Sequence, residues 1–300
     1  MWFKNLKLYS LSQTLDITEQ DLEDKLEACR FRPCGSQDLA TMGFTSPFNQ
    51  GSSLLHSAAG RYWITLKKQE RLLPSSVINA ELAEKVAQIE AETGSPVGKK
   101  AQQELKQAIV QRLLPQAFTK NSFTHAFIAL ADNLVVVDAS ADGKAEALLA
   151  HLRKALGSLP VLPLARQSVQ AELTAWLQNT DVPAELVVLE EAELQAPQEG
   201  GAVLRCKNQD LGSEEIQNHV QAGKLVQKLA VEWDETLSAL IQEDLSIKRV
   251  KFSDVITEQN ADIPKDEMLA RMDANFTLMS GEVVRFATWL KQAFKLDNEA

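Results

Sequence analysis

LVQKLAVEWDETLSALIQEDLSIKRVKF, Leu225–Phe252, decides the fold class. It reads as three strands in succession, Leu225–Trp233, Thr236–Ile241 and Ser246–Phe252, with only turns between them. Helical patterns follow at Pro264–Met272 and Glu282–Phe294. A doubly wound fold alternates strand and helix along the chain, and this order does not, so the class is α+β.

Working outward, Leu186–Leu189 and Ala202–Cys206 read as strands, and Ser213 as a helix cap with Glu214 and Glu215 in the first turn. Near the start, Trp2–Tyr9 and Arg61–Lys68 have strand character. Between them a helix starts at Asp16, carries Leu22, Leu26 and Cys29 on one face, and is ended by Pro33. Phe123–Ile128 and Leu134–Val137 flank the turn residues Ala131–Asn133 as a hairpin. Gly143–Leu156 is an amphipathic helix on Leu148, Leu149, Leu152 and Leu156, with Gly157 at its C-terminal cap. The prolines of Leu159–Leu164 make an extended connector, with a domain boundary nearby. A weak internal echo links Phe3–Leu26 with Ile247–Leu269, each a basic strand followed by an acidic helix start.

Residues 79–114 stand apart. Leu82, Val86 and Ile89 mark one helix over Asn79–Glu92, and Leu105, Ile109 and Leu113 mark a second over Lys100–Leu114. Gly94, Pro96 and Gly98 break the pattern between them. Two antiparallel helices on a short turn form a protruding arm, whose end needs a partner to cover it.

Charge is segregated along the chain. The protein carries net −10, yet Gly98–Lys120 holds Lys99, Lys100, Lys106, Arg112 and Lys120 against the single acid Glu104. Asp181–Leu204 is the reverse, with Asp181, Glu185, Glu190, Glu191, Glu193 and Glu199 and no Lys or Arg. Phosphate binding depends on local cations, so an acidic total leaves a basic contact surface open to nucleic acid. Candidate donors are the arm cations just named, the cluster Arg205, Lys207, Asn208 and Gln209, and the basic strand Lys248–Lys251.

Three hundred residues suffice for two or three domains. No apolar run is long enough to span a membrane, no signal peptide is recognisable, and three cysteines fit a reducing compartment; a cytoplasmic protein is expected.

Catalytic patterns are weak. Gly94–Lys100 fails as a phosphate loop, because three residues rather than four separate its glycines and Lys100 replaces the hydroxyl residue. No GxSxG or HExxH occurs, and His56, His125, His151 and His219 are scattered. Cys29 and Cys34 lack a second pair for zinc. No enzyme, metal or cofactor is expected, with Cys34 in Pro-Cys-Gly-Ser as the one candidate nucleophile left over.

Several longer stretches resemble the bacterial recombination-associated RdgC family. They are Trp2–Leu6, Pro33–Asp38 with Met42-Gly43-Phe44, Leu113–Phe118, Leu152–Pro160, Gln209–Lys224 and Met279–Glu282. The resemblance runs in order along essentially the whole chain. It implies a non-enzymatic, nucleoid-associated protein that binds duplex DNA without sequence preference, binds single strands more weakly, and opposes RecA-promoted strand exchange. It further implies a horseshoe-shaped subunit closing into a ring-shaped homodimer, with residues 1–75 and 121–170 as centre, 76–120 as helical tip and 171–300 as base. By position, Phe118 matches an aromatic at a dimer contact that gates the ring, flanked by Leu114 and Pro115. Asn208 and Gln209 match a Lys-Gln pair associated with DNA binding. Here Asn208 replaces the Lys, while Lys207 precedes it and Arg205 lies close; on a strand, one residue earlier points to the other face. The alternative is an interaction scaffold that takes an acidic protein on the same basic arm.

Overall fold

The computed structural model describes residues 2–48, 51–264 and 267–296. In chain order the elements are β1 (Leu6–Leu11), α1 (Glu19–Glu27), β2 (Ala40–Thr45), β3 (Leu55–Ala58), β4 (Arg61–Arg71), α2 (Ser75–Thr93) and α3 (Lys99–Leu113). There follow β5 (Thr119–Ala129), β6 (Leu134–Asp138), α4 (Asp142–Leu156), β7 (Val161–Pro163), α5 (Gln170–Leu177), β8 (Leu186–Gln195) and β9 (Val203–Lys207). The last are α6 (Glu214–Gln221), β10 (Leu225–Trp233), β11 (Leu237–Gln242), β12 (Ile247–Phe252), α7 (Asp254–Thr257) and α8 (Met268–Ala293). The class is α+β, as the run of strands at Leu225–Phe252 predicts.

All the strands belong to one sheet, ordered β2-β4-β5-β6-β1-β12-β11-β10-β8-β9, with β3 on β4 and β7 on β1. Every pairing within it is antiparallel. A seam divides it: β1 and β12 share the single register pair Leu6↔Ile247. These are the two strands of the internal echo, placed side by side and antiparallel.

Strand periodicity sorts the core into two layers. Along β6, Leu134 and Val136 join one cluster of buried side chains, and Val135 and Val137 join the other. On β5, Phe127 and Ala129 alternate with Ala126 and Ile128 in the same way. A strand buried on both faces needs a continuous apolar run, which explains Leu-Val-Val-Val at 134–137. Leu22 and Leu26 of α1 and Leu148, Leu149 and Leu152 of α4 cover one face of this first half.

The opposite face is covered in both halves by α8, a helix of 26 residues. Its Phe276 stacks on Trp63 of β4 at 5.2 Å and lies 6.1 Å from Phe127 of β5. Nearly three turns on, its Phe286 lies 5.1 Å from Trp233 of β10. One helix thus crosses the seam, with α5 and α6 beside it in the same cluster. The two helices expected at Pro264–Met272 and Glu282–Phe294 are one helix from Met268 onward; residues 265 and 266 lie outside the described residues. Gly281 costs this helix about 1 kcal/mol against Ala, but Phe276, Val283, Phe286 and Leu290, all fully buried, contribute about 1.5–3 kcal/mol each.

The seam has a polar clasp. Lys7 of β1, 8% exposed, is bound by Asp142 at the start of α4 and by Asp244 (3.2 Å) and Ser246 in the β11–β12 turn. Burial disfavours its charge, but the bonds and fields of Asp142 and Asp244 outweigh this and hold its pKa above the usual lysine value.

Other differences from the sequence reading are local. Trp2 and Phe3 precede β1 rather than belong to it, and Val161–Pro163 of the expected connector pairs with β1 as a short strand. Ser213 stands at the N-cap of α6, yet its hydroxyl makes no capping bond. The arm is a helical hairpin on the expected lines, with Gly94 at φ +65 closing α2.

Candidate nucleic-acid interface

On the second half of the sheet, no helix among the described residues covers the face opposite α8; α5, α6 and α7 join α8 in its own cluster. The β8–β9 hairpin sets its edge: Ala192 and Cys206 pair and point into the core, so their neighbours Glu191, Glu193, Arg205 and Lys207 point out. Register pairs Glu191 with Lys207 and Glu193 with Arg205. Lys228 of β10 stands opposite Glu193 on the same face. Lys248 opposes Leu240 and Lys251 opposes Ser238, which places both on this face too. Arg205, Lys207, Lys228, Lys248, Arg249 and Lys251 therefore share one bare surface with Glu191, Glu193 and Glu232.

Each carboxylate oxygen of the two inner glutamates holds one cation. Glu193 Oε2 accepts from Arg205 Nε at 2.8 Å, and Glu193 Oε1 from Lys228 Nζ at 2.9 Å. Glu191 Oε2 pairs with Arg249 Nη2 at 2.9 Å, and Glu191 Oε1 lies 3.8 Å from Lys207 Nζ. Burial pushes the Glu193 carboxyl up, but the bonds from Arg205 and Lys228 prevail and hold its pKa below the ordinary glutamate value.

Arg249 owes its aim to a bulge. Between Leu240↔Lys248 and Ser238↔Lys251, β12 spends one residue more than β11, and Arg249 adopts φ +53. A bulge re-aims a side chain at the cost of local strain. Here it carries the guanidinium across β11 and β10 to Glu191.

Asn208 is the first residue beyond β9, exposed and at φ +51. The strand ends at Lys207, so strand alternation does not relate Lys207 to Asn208; Arg205 and Lys207 are both outward. Gln209 is half-buried and donates to Glu215 at 3.2 Å.

The arm cations form a separate group. The arm leaves β4 and returns into β5, six strand spacings from β8 in the sheet order, or about 29 Å at ~4.8 Å each. Lys99, Lys100 and Lys106 are exposed, Arg112 pairs with Glu81 on the facing helix, and Lys120 sits opposite Glu70.

At the arm's root, Leu114 is 3% exposed and is covered by the chain itself, whereas Phe118 is 84% exposed and Pro115 is exposed. Arg71 fixes this corner by donating to the carbonyls of Ala117 (3.0 Å), Pro115 (3.3 Å) and Gly35 (3.1 Å). Backbone bonds from Arg71 to Leu39 and from Leu72 to Phe118 bring the exposed Leu39, Leu72 and Phe118 to one corner.

The catalytic candidates are not assembled. Cys34 Sγ contacts Thr41 Oγ1 at 3.4 Å and the Gln69 carbonyl at 3.3 Å, and its N–H donates to Gln69 Oε1. The four histidines have four different partners: Asp273, Thr65, the Ala147 carbonyl and Lys224. Among the described residues, no group of three or more His, Cys, Asp or Glu is placed to hold a metal ion, and no helix is long and apolar enough to cross a membrane.

A family described as "Putative exonuclease, RdgC" matches residues 1–297. The chain belongs to the RdgC family. It is 69% identical over 299 residues to the recombination-associated protein RdgC of Pseudoalteromonas atlantica, covering 100% of this chain and 99% of that one. The RdgC of Aeromonas hydrophila is 47% identical over 288 residues, 95% of each chain, and that of Psychromonas ingrahamii 44% over 296 residues, 98% of each. The relatives' names attach the family to recombination and specify no enzymatic reaction. The paired glutamates opposite Arg205 and Lys207 escaped the sequence reading, which marked that stretch only as acidic. The alternation Glu191-Ala-Glu193 against Arg205-Cys-Lys207 is the pattern that reveals them.

Proposed function

We propose that this protein binds duplex DNA without reading its sequence, through the bare face of the second half-sheet, and thereby modulates homologous recombination and replication-fork repair. The observation that carries the reading is the gathering of six Lys and Arg on one helix-free face of a chain with net charge −10. Such a surface tracks phosphates and offers no recognition helix to base edges. Single strands bind more weakly, since they present a lower density of phosphate charge.

The functional unit in this reading is a homodimer closed into a ring around the duplex, with the second half-sheet as base, the first as centre and the arm as tip. Phe118, with Leu39 and Leu72, is the apolar corner a second copy covers, and Pro115 lies at its rim. Lys99, Lys100, Lys106 and Lys120 extend positive potential along the arm. The protein resides on the nucleoid in the cytoplasm and limits RecA by occupying the duplex.

Titration of random duplex DNA at two salt concentrations, with sedimentation in parallel, tests this. Log K should fall linearly with log salt, and Arg205→Ala with Lys207→Ala should flatten the slope by up to ~2. A dimer that ignores duplex at low salt, or a slope unchanged in the double variant, removes this face from the contact surface.

A further inference from the structure

Glu191 and Glu193 form the floor of the cationic face. Their side chains are 27% and 19% exposed, while those of Arg205, Lys207 and Arg249 above them are 72%, 69% and 53% exposed. The cations have room to swing toward a ligand; the carboxylates do not. Four cations, Arg205, Lys207, Lys228 and Arg249, are thus already neutralised in part by two acids before any DNA arrives.

We propose that Glu191 and Glu193 are built-in competitors of the DNA phosphates and set the affinity of this face below what its cations would reach alone. The inference rests on the duplex-binding reading above and deepens it. A phosphate that engages Arg205 or Lys228 must share it with Glu193, and one that engages Arg249 or Lys207 must share it with Glu191. Each shared cation releases less counterion than a free one, so both the affinity and its salt slope are reduced. Two fixed negative charges beneath the duplex also weaken any single register of contact. That suits a protein which moves along DNA rather than stopping at a site.

The test is duplex binding by full-length Glu191→Gln/Glu193→Gln protein, beside wild type and a charge-matched control, Glu19→Gln/Asp24→Asn. Both control positions are exposed on α1, which covers the first half. The floor variant should bind about tenfold tighter near physiological salt, with a slope steeper by up to ~2, and the control should change by less than about twofold. An affinity equal to or below wild type, in a variant whose melt and circular dichroism are native, overturns the inference: the glutamates would then position the cations rather than compete for them. An equal gain in the control overturns it too, by assigning the effect to net charge. Should the double variant misfold, Glu191→Gln alone is read in the same way, with about a threefold gain expected. Wild type that fails to bind duplex at any salt instead defeats the duplex-binding reading itself, so the two failures are separable.

Discussion

In the first half of the sheet, α1 and α4 lie on the face opposite α8, and strands such as β6 are apolar on both sides. In the second half no helix among the described residues covers the corresponding face, and β9 and β12 alternate apolar residues toward α8 with cations toward solvent. The same sheet is therefore a three-layer core on one side of the seam and a two-layer platform on the other. A strand covered on both faces contributes stability but has no surface left for a ligand. A strand covered on one face gives up some burial and gains a row of outward side chains at spacings set by the sheet. The proposed binding surface is the face that lacks the third layer.

The greatest strain on this comparison comes from the helix both halves share. Phe276→Ala should cost about 3–5 kcal/mol, since its ring is fully buried against Trp63 and Phe127. Denaturant unfolding followed separately at first-half and second-half tryptophans should show one common midpoint, moved downward. Two separated midpoints would mean the halves are independent and α8 does not couple them.

A smaller effect is expected from acid. Burial holds His125 of β5 at a pKa of about 4, below the ordinary 6.5. The unfolded chain takes up this proton as pH falls through about 6.5, and the folded chain resists it until about 4. The stabilisation is thus complete above pH 6.5 and lost progressively as pH falls toward 4, by about 2–3 kcal/mol. Unfolding free energies of wild type and His125→Gln, compared at pH 7 and pH 4.5, check this; parallel losses in the two proteins would place the acid sensitivity elsewhere.

The smallest change in stability belongs to Phe118→Ala. With its ring 84% exposed, the subunit should stay within about 0.5 kcal/mol of wild type. Self-association measured by sedimentation should nevertheless weaken. An unchanged dimer would leave the exposed corner at Leu39, Leu72 and Phe118 without the partner assigned to it.

Legibility varied with the length over which the physics acts. The arm and the β5–β6 hairpin were readable, because helical period, Gly/Pro breaks and turn residues act within a few residues of one another. α5 was missed: Leu173, Trp176 and Leu177 crowd a helix of eight residues, too short to display a clear polar face. α8 was divided in two, with residues 273–281 left out; the aromatic contacts of Phe276 and Phe286 on opposite sides of the seam hold it as one helix through Gly281. Arg205 and Lys207 stood out as a cluster, but their counter-charges did not, since hydrogen-bond register brings Glu193 to Arg205 across twelve residues of chain. Lys7 gave no signal at all; its partners Asp142 and Asp244 are far away in sequence.

By itself the sequence determined the α+β class, the helical arm, and, through motifs spread along the whole chain, the family. These rest on local periodicity and on matched stretches, which need no knowledge of what packs where. Only the tertiary structure decided which face of the sheet stays bare and how many of its cations are already paired. Alternation within a strand gives it two faces, but whether a helix covers the second one depends on elements a hundred residues away. The glutamate floor beneath Arg205, Lys207, Lys228 and Arg249 exists only once register has laid those strands side by side.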